Sequence, residues 1–349
     1  MGKSVDPAST SKPIHRASGI NYLSSWIQRL PGASWHYYLG LWLLLVIAQL
    51  LLLSLDGADP FRAYRLPAAF LSGATVLLLG LFHYFDLRAG HALKSTRPIL
   101  TVDDATYEEL LFRLTRLPLG RPLVAGLVSV GLMLLVEALD APYWLEPFQE
   151  YANSVYFLRV IYLICWALFG AFIYQTLHRL RLIHIIYTRH TRVNLLGESP
   201  LYPLSDLLAL SAVSLTALPI AFFLANNLTD MSVLDPATII LLLAIQAIAF
   251  VSFLWPQLGI HRLQRLEKNR LLYEVRQRCQ TVFQELNRRV DQGNLGDSSD
   301  LNSTMTLLEK ELESVEAISI WPWDPETMRW LVTALVLPIA VMLLQLILQ

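Results

Sequence analysis

From residue 37 to residue 55 the chain runs nineteen positions without a charged side chain, and six further stretches come close to doing the same. A hydrocarbon layer offers the backbone no hydrogen-bond partner, so an apolar run of about 20 residues reads as a helix that satisfies its own peptide groups while crossing a bilayer. The seven stretches are 37–55, 66–85, 122–139, 154–177, 207–226, 236–258 and 330–349. Four are free of charge. His83 lies in the second, Glu137 near the end of the third and Arg159 in the fourth. The third is the weakest, with 15 uncharged residues before Glu137. Charged residues make up 16% of the chain and hydrophobic ones 54%, whereas soluble domains carry about a quarter charged. The expectation is an all-α polytopic membrane protein, not a water-soluble enzyme.

Lysine and arginine gather on cytoplasmic loops. Counting loop by loop, 24 fall before span one and in the loops after spans two, four and six, and two, Arg62 and Arg65, in the alternate loops. Seven spans then put the N-terminus inside and the C-terminus outside. The plasma membrane is the expected location, or the inner membrane in a bacterium. The first span is too long for a signal-peptide core, and no small-residue cleavage pattern follows it, so it reads as a signal anchor. The outer loops are acidic (Asp56, Asp59, Asp140, Glu146, Glu150, Asp230, Asp235). That serves simple solvation, and equally an outer vestibule that concentrates cations. Net charge is −1, so no basic excess suggests nucleic acid as a partner. Asn227-Leu228-Thr229 matches a glycosylation sequon on the outer side.

Most of the polar mass lies on the inner side. Residues 1–35 form a Ser-rich tail, in which Ile20, Leu23, Ile27 and Leu30 share one face of an amphipathic interfacial helix. In 101–117 the acids Asp103, Asp104, Glu108 and Glu109 come early and Arg113 and Arg116 late, the order a helix dipole favours. Spans four and six continue past the membrane. Beyond Pro256 and Gly259, where a kink is expected, apolar residues recur from Leu263 to Val290, projecting roughly 45 Å at 1.5 Å per residue. A polar turn follows. Then Leu301, Met305, Leu308, Leu312 and Val315 step in heptads beside Glu309, Glu311, Glu313 and Glu316. A basic helix followed by an acidic one predicts an antiparallel hairpin over 259–325, and its leftover apolar surface predicts assembly of several copies. Trp321, Trp323 and Trp330 suit an aromatic belt, with Asp324 capping the last span.

No phosphate-binding loop, zinc-protease motif, nucleophile elbow or dinucleotide fingerprint occurs, and no cofactor or metal site is expected. All five lysines lie outside the spans, which rules out a retinal Schiff base. Cys165 lies in an apolar block and Cys279 in a charged helix, so they are not expected to form a disulfide. His178, His184 and His190 are six apart and turn to different faces, as solvated or interfacial residues would. Carriers place carboxylates mid-bilayer and repeat broken helices; neither pattern is visible. Glu137 and Arg159 lie near the outer ends of adjacent spans. They read either as a local pair reaching for the interface or as the polar end of an outward pocket for a small molecule, with Tyr162 and Trp166 as aromatic lining. In span seven Thr333, Leu337, Val341 and Gln345 form one shallow stripe, polar at both ends.

Seven spans with the N-terminus inside, short outer loops, inner extensions of spans four and six, and a last helix split into an inner piece and a membrane piece: this plan resembles the insect odorant and gustatory receptor superfamily. The resemblance is one of topology and covers most of the chain from span one onward. It implies four subunits joined through an anchor of cytosolic helices, with the last span lining a cation pore. In such a pore Leu337 and Val341 would be the hydrophobic constriction and Gln345 an outer polar ring. The gustatory members carry Thr-Tyr, five apolar residues, then Gln-Phe in that helix. Here Leu346 follows Gln345, and Pro338 stands where the threonine would be. Two functions stay open: a ligand-gated or constitutive cation channel, and a non-conducting scaffold or sensor that binds a partner through its cytosolic helices.

Overall fold

The computed structural model describes residues 32–64, 66–116, 120–139, 149–190, 202–227, 236–292 and 298–318, with scattered positions from 320 to 340. The interfacial helix expected over 20–30 and most of the last span lie outside the described residues. Within them every regular element is helical: α1 (Ser34–Leu55), α2 (Pro60–Ala63), α3 (Leu66–Thr96) with a 3-10 turn (Arg97–Ile99), α4 (Asp104–Thr115), α5 (Gly120–Leu139), α6 (Ala152–Arg189), α7 (Tyr202–Asn227), α8 (Pro236–Asp291) and α9 (Ser298–Ala317). Short polar side chains start the small helices. Asp59 accepts from Phe61 N at 3.1 Å, with Pro60 in the first position of α2. Asp103 accepts from Thr106 N at the start of α4.

Five stretches are long and apolar enough to cross a membrane: Ser34–Leu55, Leu66–Ile99, Gly120–Ala138, Ala152–Arg189 and Leu243–Asp291. The fifth expected span lies on α7, whose segment Pro203–Leu218 is a shorter apolar helix among the described residues. One boundary differs from expectation. The second span does not stop at Phe85, because Phe82, Phe85, Ala89, Ala92 and Leu93 keep one face of α3 buried as far as Thr96. Helix α8 runs on past Pro256 and Gly259 and is helical from Pro236 to Asp291.

Gly259 marks a close approach of two helices. A Cβ there would come within 2.9 Å of His184 Cε1, so a side chain at this approach of α6 and α8 would require the His184 ring to move. The α5–α6 crossing is tighter still. A Cβ on Gly126 would meet the Ala167 carbonyl at 2.7 Å, and one on Gly170 the Ala125 carbonyl at 2.6 Å. Small residues let helices meet closely where water does not drive them together.

The main core joins α3, α6, α7 and α8. Phe172 meets Phe82 edge-on at 5.6 Å and Phe85 at a tilt at 5.7 Å, backed by Ile183 and Tyr187 of α6, Leu204 and Ala212 of α7, and Phe253 and Ile260 of α8. A smaller cluster of Leu53, Ala68, Leu71, Leu158, Ile161 and Tyr162 holds the far end of α1. Helices α1 and α5 sit at the periphery. Their outer faces, with Leu43, Leu44 and Ile47 on one and Leu123, Leu127 and Leu132 on the other, are exposed. In a bilayer such faces meet lipid tails at no cost.

Candidate functional site

Four groups of polar or assembly residues stand out, and the first ties α1 to α6. Asp56, just past the end of α1, accepts from Asn153 Nδ2 at 2.6 Å and from the Ser154 backbone N–H at 2.9 Å. A residue nearly a hundred positions away thus supplies the acceptor for the first turn of α6. These bonds, the Ser154 one foremost, hold the Asp56 carboxyl below the ordinary carboxylate range. Beside it the buried Gln49 side chain donates to Ser154 Oγ.

The second group contains the residues expected around an outer pocket. Arg159 Nη2 donates to Glu137 Oε2 at 2.7 Å. The other oxygen, Glu137 Oε1, is buried without a hydrogen-bond partner among the described residues. Tyr162 is buried between α1, α3 and α6 with its ring edge-on to Trp166 at 6.2 Å, and Trp166 is edge-on to Phe169 at 5.8 Å. Both aromatic rings therefore lie in packed surroundings beside the ion pair.

The third group is the hairpin. Helix α9 runs antiparallel to α8: Arg276 pairs with Glu316 at 3.1 Å and Arg278 with Glu311 at 3.8 Å. Lys268 Nζ donates to the carbonyls of Glu316 and Ile318, closing the C-terminal end of α9. Of the seam residues, Val315 is buried and Leu301, Met305, Leu308 and Leu312 are half-buried. Leu266, Tyr273, Phe283 and Val290 of α8, and Leu307 of α9, are exposed. For the stripe of span seven, Thr333 is exposed and its Oγ1 donates to the Arg329 carbonyl at 2.9 Å. Leu337, Val341 and Gln345 lie outside the described residues.

The fourth group has no counterpart in the sequence reading. Arg179 of α6 is buried and ion-paired with Asp86 of α3. Gln175 Nε2 donates to the same Asp86 oxygen at 3.0 Å, Arg179 Nε donates to the Leu114 carbonyl at 3.3 Å, and the guanidinium lies 5.7 Å over the Phe85 ring. One turn earlier on α3, His83 Nδ1 lies 3.0 Å from the Tyr38 hydroxyl of α1. Four elements, α1, α3, α4 and α6, therefore meet on one polar seam. Such a seam can lock helices in register. In the sequence Arg179 reads as a loop cation, and Asp86 falls one residue past the expected end of its span.

Among the described residues no three His, Cys, Asp or Glu side chains gather to hold a metal ion. Cys165 and Cys279 are free thiols. Compared with protein families, with curated proteins and with solved structures, the chain finds no match in any of the three.

Proposed function

We propose that this chain is a seven-span membrane protein of the plasma membrane or a bacterial inner membrane, N-terminus inside and C-terminus outside, that assembles as a homo-oligomer and conducts cations along its last spans. The observation that carries assembly is the α8–α9 hairpin. It extends beyond the apolar part of α8, consumes its heptad seam internally, and still leaves Leu266, Tyr273, Phe283 and Val290 exposed on a charged helix where no lipid would cover them. Apolar surface of that kind on a polar stem suits a protein partner. Conduction rests on the resemblance of plan and on the acidic outer loops, which favour cations.

The test uses the full-length chain in detergent and in liposomes. Wild type should run as an oligomer by mass photometry, and Y273D/F283D as a monomer with unchanged helix content. Reconstituted wild type should pass sodium or potassium ions and exclude chloride. A monomeric wild type would defeat the assembly reading.

A second reading, a non-conducting scaffold assembled in the same way, has one observation in its favour. The Thr333 hydroxyl is spent on its own helix rather than offered to a water-filled path. Intact oligomers that pass no ions under any ligand or voltage tried would select it.

A further inference from the structure

The basic ends of α5 and α6 carry charge that the described protein leaves uncompensated. Arg121 is the second residue of α5. The antiparallel crossing fixed by Gly126 on Ala167 and Gly170 on Ala125 brings it level with about Tyr174 of α6. There the His178 ring stacks on Tyr174, centroids 5.9 Å apart and 14° from parallel. It is hydrogen-bonded to the backbone of Arg113 from α4 and feels the charges of both Arg113 and Arg121. Arg181 follows three residues later, a neighbour on the same helix surface. Two nearby arginines are already neutralised, Arg113 by Glu109 and Arg179 by Asp86. Arg121 and Arg181 are exposed, and among the described residues neither has a carboxylate within 4 Å.

An apolar surface begins where this charge ends. Val124 and Val128 lie three and seven residues after Arg121, on the same face of α5, and both are exposed. A ligand matching both halves has an anionic head and a hydrocarbon tail. We propose that Arg121 and Arg181 form a binding site for an anionic phospholipid, its phosphate between the two guanidiniums and an acyl chain along Val124 and Val128. Arginine suits phosphate because its planar fork donates two parallel hydrogen bonds. The apolar continuation selects a lipid over a free anion, which would use the charge and leave the valines uncovered. The site requires only that α5 lie in a bilayer, and it stands independently of conduction.

The test is native mass spectrometry of the full-length chain released from detergent with equimolar phosphatidylglycerol and phosphatidylcholine. Wild type should retain phosphatidylglycerol in excess. Each arginine beside an anionic headgroup is worth about fivefold in affinity, so R121Q/R181Q should bind phosphatidylglycerol about 25-fold more weakly and phosphatidylcholine unchanged. R121K/R181K should retain most of the binding, since lysine keeps the charge. Equal retention of the two lipids by wild type, or undiminished phosphatidylglycerol on R121Q/R181Q, overturns the site. Displacement of the lipid by an equal concentration of inorganic phosphate overturns its assignment to lipid. A phosphatidylglycerol carrying a photoreactive acyl chain keeps the test open should the glutamine variant misfold. On wild type its adducts should map to 121–139, and adducts confined to other helices would refute the placement.

Discussion

Two arginine–carboxylate pairs bridge helices in the apolar part of this chain, and they are completed in opposite ways. At the Asp86–Arg179 junction both side chains are withdrawn from solvent, 12% and 3% exposed. The guanidinium donates to Asp86 and the Leu114 carbonyl, while Gln175 adds a second donor to the carboxylate and keeps its own Oε1 buried without a partner among the described residues. At the Glu137–Arg159 pair the carboxylate is 6% exposed and the arginine 43%. One Glu137 oxygen is left bare, and Arg159 keeps contact with its surroundings. A charge in an apolar setting persists either by saturating its hydrogen bonds internally or by reaching toward the interface. The first solution fixes geometry; the second leaves one partner free to move.

The largest expected effect comes from breaking the closed junction. R179M would strand Asp86, and D86L would strand Arg179; each should cost about 3–5 kcal/mol, read as lost thermal stability in detergent. The double variant D86L/R179M should recover most of that loss, because no lone charge remains. A double variant as unstable as the sum of the two singles would show that the pair is not a unit. At the open pair the singles E137Q and R159M should cost about 1 kcal/mol, since a half-exposed arginine is partly screened. Their combination should be milder than the sum, and additive losses would remove the coupling.

The smallest effect lies at Asp56 and depends on pH. Its carboxyl titrates below the ordinary range because the Ser154 and Asn153 donors favour the charged form. Its contribution is therefore complete above the unfolded value of about 4 and fades as pH falls through the lower folded value. The protection factor of the amides at the start of α6, taken relative to the unstructured rate at the same pH, should fall in wild type as pH drops below about 4. D56N should exchange faster at neutral pH and change less on acidification. Equal pH dependence in the two proteins would remove Asp56 from the account.

The hairpin was legible in the sequence because its signals are local: a heptad in 301–315 and opposite charge on two successive helices, now joined through Arg276 and Glu316. The closed junction was not, since Asp86 and Arg179 are 93 residues apart and each looks like the first charge after a span. A signal was present nonetheless. Apolar spacing continues through both charges, as Phe82, Phe85, Ala89 and Leu93 on α3 and as Leu182, Ile183, Ile186 and Tyr187 on α6. A buried face that does not stop at a charge says that the charge is buried too. The Gly259 approach to His184 could not be read from one chain, because a helix glycine for kinking and one for close contact are spelled alike.

The continuity of α8 has a mechanical consequence. One helix of 56 residues has its apolar half against α6 and α7 and its polar half paired with α9. A rod held at one end is a lever. A tilt of about 5° in the packed half would swing the free tip of a 45 Å extension by roughly 4 Å. That is most of one helical turn, enough to pull one row of side chains out of register with a neighbour. Small tilts near His184, where Gly259 meets α6, would therefore be magnified at the Phe283 end.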